Sequence, residues 1–382
     1  LNWKRLFARS LEAAPDRLHF AAHSHHLWPD ATREAQLAAW EDAARLADHK
    51  WDRAFEVMGE AQAHVAAELG LPSPDTIAFA PNTHDFLVRL VSALGRRPVR
   101  LLSTDGEFHS FRRQAARWLE AGDVELEVVP IEPWADFADR FVGRARAGDH
   151  DLIFVSHVFF KTGRVLDRLA ELAELASPQG PWLVIDGYHG FMALPTDLSR
   201  VSARAFYTAG GYKYAMAGEG CAFLHAPPSF GPRPTVTGWF AEFEDLTAPP
   251  GRVGYAPDAR RFLGATFDPS GVYRLAAVFR LLRSEGLTTA AIAAHVGALQ
   301  DRFLDALPGP LAGAELLNPA AGGPRARFLA FRHADAPRWK AALDRANVVT
   351  DVRDDVLRIG FGLYHDDADI DRLGEVMRRV LG

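Results

Sequence analysis

The feature that most restricts the fold is an alternation running through the first two thirds of the chain. Thr76–Ala80 (TIAFA), Val99–Ser103 (VRLLS), Val124–Pro130 (VELEVVP), Leu152–Ser156 (LIFVS), Trp182–Asp186 (WLVID), Ala203–Ala209 (ARAFYTA) and Cys221–His225 (CAFLH) are short apolar runs. Stretches at helical spacing separate them: His84–Leu94, with Phe86, Leu87, Leu90 and Leu94 on one face, then Phe111–Leu119, Trp134–Ala147 and Leu166–Ala176. Apolar strands joined by helices predict an α/β fold whose mostly parallel sheet is covered on both faces. Ahead of them, Ala31–Leu69 reads at helical spacing with no Pro and no Gly before Gly59. Around Phe230–Gly254 periodicity vanishes, which predicts a long functional loop or a domain crossing. Beyond it, Val272–Ser284 and Ala290–Leu307 read as helices, Phe328–Arg332 and Val356–Phe361 as strands, and Asp369–Leu381 as a closing helix. That last part is a smaller α+β unit, and at roughly 150 residues per domain two packed units are expected.

Composition narrows the function classes. Lys+Arg is 43 against Asp+Glu 49, a formal charge of −6, so nothing draws the chain toward phosphate backbones or anionic membranes. No nucleic-acid partner is expected. Without a run of roughly 18 apolar residues, no membrane span is expected either. Leu1–Arg17 mixes charged and apolar residues and lacks the apolar centre of a signal peptide. The single cysteine, Cys221, excludes an intrachain disulfide and cysteine-based zinc clusters and suggests a reducing, cytoplasmic setting. His23, His25 and His26 are too tightly spaced for good ligation and lack a companion carboxylate, so no metal site is expected. No HExxH, Walker loop or GxSxG elbow occurs, against a zincin, a P-loop NTPase or an α/β-hydrolase.

In an open α/β sheet ligands bind beyond the carboxyl ends of the strands. Three stretches lie there. Asp186-Gly-Tyr-His189 follows WLVID, and an acid at a buried strand end is costly unless paired; alone it reads as a cap or structural ion pair. Gly210-Gly-Tyr-Lys-Tyr214 follows the next strand, where Lys213 among glycines and aromatics would be poorly solvated and nucleophilic; alone it reads as a surface lysine on a turn. Pro81-Asn-Thr-His84 opens a helix whose free N–H groups, with the Asn82 and Thr83 side chains, suit an anion such as phosphate; alone it is a capping turn. Together they supply what pyridoxal 5′-phosphate requires: an amine for its aldehyde, an acid for its ring nitrogen and a cup for its phosphate.

At these residues the sequence resembles the class V aminotransferase superfamily of fold type I, and within it most resembles kynureninase. The opening His19–Pro29 segment is similar to YFCGNSLGLQP, and Ser156-His-Val-Phe-Phe-Lys-Thr-Gly163 to SHVNYRTG. Asp186-Gly-Tyr-His189 matches the family's Asp-x-x-His, Tyr212-Lys213-Tyr214 its YKY, and Gly238-Trp239-Phe240 its GWFGH loop. Arg261-Phe-Leu-Gly-Ala-Thr266 resembles RFEAGT, and Leu357-Arg358-Ile-Gly-Phe-Gly362 the segment whose arginine holds a substrate carboxylate. The resemblance implies a large cofactor domain (31–270) with a seven-stranded-type sheet and a small C-terminal domain (271–382). It implies an N-terminal segment (1–30) packed on the small domain and the active site. It implies catalytic roles for Lys213, Asp186 and His189, with cofactor contacts from Tyr212, Thr83, His84, Trp239 and Thr266. Arg358, His23 and Ser24 are the implied substrate contacts. Phe108, in Glu107-Phe-His109 after VRLLS, is expected to stack on the cofactor ring, with His109 the second choice. Because the matching threonine of relatives serves a neighbouring subunit, a homodimer with shared sites is implied.

The departures fall on the substrate side. Phe159 replaces the Asn of SHVNY, His23 the Asn of GNSLG, and Glu242 the His of GWFGH; Asp268 falls where kynureninases place a polar residue near the aryl ketone. The expectation is therefore a kynureninase-like Cβ–Cγ hydrolase or lyase with an altered pocket. The alternatives are amino transfer to a 2-oxo acid, or a cofactor-binding protein that has lost catalysis. A cysteine desulfurase is disfavoured, because Cys221 lies just past the lysine strand rather than on a late loop.

Overall fold

The computed structural model describes residues 3–242, 251 and 253–381. After β1 (Leu18–His19), seven strands build the central sheet: β2 (Ile77–Ala80), β3 (Val99–Thr104), β4 (Val124–Val129), β5 (Leu152–Ser156), β6 (Trp182–Asp186), β7 (Ala205–Gly210) and β8 (Ala222–His225). Their order is β2-β8-β7-β6-β5-β3-β4. From β7 to β4 every pairing is parallel, so the mostly parallel α/β sheet read from the sequence is present. β8 alone is reversed, antiparallel to both β7 and β2. The chain between Gly210 and Ala222 is short for a parallel crossover, which needs about a dozen residues or more.

Pleating explains why the strands are apolar throughout. In β6, Leu183 and Ile185 enter one core while Trp182 and Val184 enter the other; in β5, Ile153 and Val155 oppose Leu152 and Phe154 in the same way. Each such side chain contributes about 1.5–3 kcal/mol through burial. With both faces filled, the carboxyl ends of the strands are where polar side chains emerge.

The expected helical stretch from Ala31 to Leu69 is two helices, Asp30–Leu46 and Lys50–Glu68. Ala47, at φ 48°, breaks them apart. The break lets both lie against the helix Ser270–Ser284. Gly59 does not interrupt the second helix. The aperiodic Phe230–Gly254 stretch carries a 3₁₀ turn at Trp239–Glu242, while 243–250 and 252 lie outside the described residues.

The C-terminal part holds β9 (Glu315–Leu316), β10 (Phe328–Arg332), β11 (Val348–Val349), β12 (Asp351–Arg353) and β13 (Val356–Gly360). An antiparallel sheet runs β12-β13-β10-β9, and β11 pairs in parallel with β1. The N-terminal segment is thus stitched to this part, and the Gly360 N–H donates to the Phe20 carbonyl at 2.7 Å.

Candidate active site

Five strand ends deliver the site. Beyond β2, Asn82 caps the helix Thr83–Ser92 by accepting the Asp85 N–H at 3.0 Å. Beyond β3, Phe108 precedes the helix His109–Ala121. Ser156 ends β5, Asp186 ends β6, and Lys213 follows β7. Their side chains line a cavity of about 290 Å³, together with His84, Tyr188, His189 and Tyr212. Glycine permits this closeness at two points. A Cβ on Gly187 would lie 1.9 Å from Tyr207 Cζ, and one on Gly210 would lie 2.2 Å from the Tyr188 hydroxyl. Neither glycine has room for a larger residue unless these tyrosine rings move.

Lys213 is 4% exposed. Its Nζ lies 2.6 Å from His189 Nε2 and 4.7, 5.2 and 5.5 Å from the ring centres of Tyr188, Phe108 and Tyr212. Burial lowers its pKa to about 7; Asp186 pulls the other way, while Arg358 and Arg353 push it further down. An ammonium loses its hydration here, so the neutral amine is accessible near neutral pH. Burial, reinforced by Lys213 and Arg358, also holds His189 neutral, far below an ordinary histidine. The Asp186 carboxyl is raised by burial and eased by the Tyr188 N–H, which it accepts at 2.9 Å.

Thr83, His84, Phe108, Asp186, His189, Tyr212 and Lys213 therefore share one cavity. The Phe108 ring faces Lys213, whereas His109 lines a neighbouring open groove with Arg112, Arg113 and Arg117. His84 borders both and bonds Gln114 Oε1 at 3.0 Å. His23 is fully buried, stacked on Phe328 at 4.7 Å, and neither ring nitrogen has a hydrogen-bond partner. Ser24 bonds its neighbour His25. Arg358 is 2% exposed and hydrogen-bonds Asp351 and the Phe160 carbonyl, leaving Nε unpartnered. An acid of the chain itself thus occupies part of the guanidinium that the sequence reading reserved for a substrate. Trp239 and Thr266 are not in this cavity: the indole N–H donates to Thr266 Oγ1 at 3.0 Å, and Thr266 borders a separate surface cleft with Trp40 and Asp268.

Sequence reasoning missed three residues. Asp351 sits on β12, directly across from Arg358 on β13 in the antiparallel register, and a three-residue strand gives no periodicity to announce it. Ser156 lines the cavity, although only its place in a longer motif had drawn notice. Glu107 is fully buried, accepting from Thr104 Oγ1 at 2.7 Å and the Ser156 N–H at 3.2 Å. The usable signal for Glu107 and Ser156 was position, since both lie at the carboxyl ends of adjacent sheet strands.

The residues fit pyridoxal 5′-phosphate. They offer a desolvated amine of lowered pKa, a desolvated acid on the neighbouring strand, an aromatic face over the amine, and a capped helix N-terminus at the rim. His189 Nδ1 is buried without a partner, as in a site built for a further polar group.

Comparison with known proteins agrees. Residues 292–377 match the kynureninase C-terminal domain family. The chain is 30% identical over 331 residues to the isopenicillin N epimerase of Streptomyces clavuligerus, covering 81% of each chain. Among solved structures it is similar to the cystine C–S lyase C-DES in complex with cysteine persulfide, its reaction product (TM-score 0.80, 18% identity, 97% of this chain and 99% of that one). A Lys→Ala mutant of C-DES with glycine covalently linked to its pyridoxal phosphate cofactor is similarly placed (TM-score 0.79, 17% identity, 97% and 99%). So is the apo cysteine desulfurase of Thermococcus onnurineus NA1 (TM-score 0.78, 19% identity, 96% of each). With this relative, this sheet and this site, the chain belongs to the class V aminotransferase superfamily of pyridoxal phosphate-dependent, fold type I enzymes that act on amino acids.

Proposed function

We propose that the enzyme performs kynureninase-like cleavage of the Cβ–Cγ bond of an amino acid whose side chain differs from that of kynurenine. The observation that carries the reading is the buried Lys213 Nζ, 2.6 Å from His189 Nε2 in an aromatic cavity with Asp186. Pyridoxal 5′-phosphate, when bound, draws electrons from the α-carbon of the amino acid joined to it. Lys213 is the residue that would hold it, and its free Nζ would take the Cα proton of the substrate. His189 stays neutral and accepts a hydrogen bond from Nζ, keeping the amine aimed into the cavity. Asp186 would support the cofactor's ring nitrogen, Phe108 would cover a ring face, and Tyr212, Thr83 and His84 would hold its phosphate. Arg358, already shared with Asp351, offers its unpartnered Nε–H to the substrate carboxylate, and His23 and Ser24 are the other proposed substrate contacts. Thr266 and Trp239, paired to each other away from this cavity, serve the site of a second subunit in a homodimer.

Support for carbon–carbon cleavage comes from the kynureninase match across 292–377, which contains Arg358, and from the aromatic walls Phe108, Phe160 and Tyr188. A second reading, return of the proton to Cα with inversion, is favoured by the epimerase relative. A panel of L-amino acids with aryl-ketone, aliphatic and acidic side chains, followed by mass spectrometry in deuterated water, separates them. Alanine plus a side-chain acid supports cleavage. Deuterated D-amino acid with no alanine overturns it in favour of epimerisation, and a 2-oxo acid with no alanine overturns it in favour of amino transfer.

A further inference from the structure

Behind Asp186 lies a second acid that the proposed mechanism does not use. Glu107 is 0% exposed, and its Oε2 lies 2.5 Å from Ser156 Oγ. Its Oε1 takes the Thr104 hydroxyl and the Ser156 N–H. Ser156 is the register partner of Asp186 across β5 and β6, so the three groups stand in a row at adjacent strand ends. Asp186 is the ionisable group facing Glu107, and among the described residues no cation pairs with it. Two carboxylates in a dry site do not both ionise when a single amine, Lys213, faces the pair from the side of Asp186.

We infer that Glu107 is a positioning residue that keeps its proton, donates it in a hydrogen bond to Ser156 Oγ, and so turns the Ser156 hydroxyl hydrogen toward the cavity beside Asp186. The donor count supports this. With Glu107 ionised, the Ser156 proton is consumed at Oε2 and nothing is left for the cavity that Ser156 lines. With Glu107 protonated, Asp186 remains the anion of the row and receives a donor rather than a second negative charge. Burial holds Glu107 at a pKa of about 8, even against its hydrogen bonds from Ser156 and Thr104. The inference rests on the cofactor-site reading only through Asp186.

Glu107→Gln tests it, because the amide keeps one acceptor and one donor in the shape of the protonated acid. The unfolded chain releases the Glu107 proton near pH 4.5 and the folded chain near pH 8, so wild-type stability falls relative to Gln across that interval. The melting temperature of the Gln variant of the full chain is expected to gain on wild type steadily from pH 5 to pH 8. In the cofactor-loaded enzyme without substrate, the pH midpoint of the visible band is expected to stay put in the Gln variant. It is expected to move by roughly half a unit or more in Ser156→Ala. A Gln variant that moves the midpoint, or that loses stability equally at every pH, overturns the inference. So does a Ser156→Ala variant with an unmoved midpoint. If no visible band forms, the cofactor reading has failed, and the melting comparison still decides the charge of Glu107.

Discussion

Lys213 shows how burial, its largest influence, turns a common residue into a reactive one. Removing water from its ammonium brings the pKa to about 7, and only the neutral amine adds to an aldehyde. Reloading of the cofactor-free chain is therefore expected to accelerate as pH rises from 6 to 8, followed by recovery of visible absorbance; a rate flat over that interval contradicts a depressed pKa. Phe108 and His109 make a second contrast. The Phe108 ring faces Lys213 while His109 borders the arginine-lined groove. An aromatic stack is worth about 0.5–1.5 kcal/mol beyond area. Phe108→Ala is thus expected to weaken cofactor binding roughly tenfold, stacking and lost area combined, whereas His109→Ala leaves it nearly unchanged in equilibrium dialysis. Equal effects contradict the assignment. At this scale the residues that share the Lys213 cavity were legible because each follows a recognisable apolar run; Trp239 and Thr266 follow none and lie elsewhere. Asp351 was not, since what matters is its cross-strand neighbour, and register is invisible in one sequence.

The elements explain where that legibility stops. β5 and β6 declare themselves as unbroken apolar runs and the closing helix through its spacing. β9, β11 and β12 are two or three residues long and have no period to read. The division of the 31–69 stretch turned on one residue, Ala47, whose left-handed conformation nothing in its composition forecasts. The reversal of β8 was missed because burial patterns carry no direction. One element supports a direct test. Asn82 caps the helix that opens on the cavity, and replacing a cap by Ala costs about 0.5–2 kcal/mol. Asn82→Ala is expected to lower the urea midpoint by a corresponding amount and to weaken affinity for inorganic phosphate and cofactor together. Loss of stability with phosphate affinity intact separates the cap from the cup.

For the whole molecule, exposed tryptophans gather near Thr266. Trp40 is 69% exposed and borders the cleft that contains Thr266; Trp239, Thr266's partner, is 43% exposed. If that face joins two copies, sedimentation is expected to give twice the 42.0 kDa chain mass, and Trp40→Glu to shift it toward the single chain. Mixing Lys213→Ala with Thr266→Ala protein, each inactive alone, is expected to restore part of the activity if Thr266 serves the opposite subunit; no recovery from a proven mixed dimer contradicts the shared site. Among the described residues no helix is long and apolar enough to cross a membrane.

The pairing of β1 with β11, and of Ala21 with Gly360, also orders events at the ribosome. His23 is synthesised well before Phe328, the ring it stacks on, and before the strands that fix its backbone. The packing around Phe328, which also touches the His189 ring, therefore stays unmade on the nascent polypeptide until those strands arrive, and a chain stalled before them is expected to capture the vitamin-derived ligand poorly.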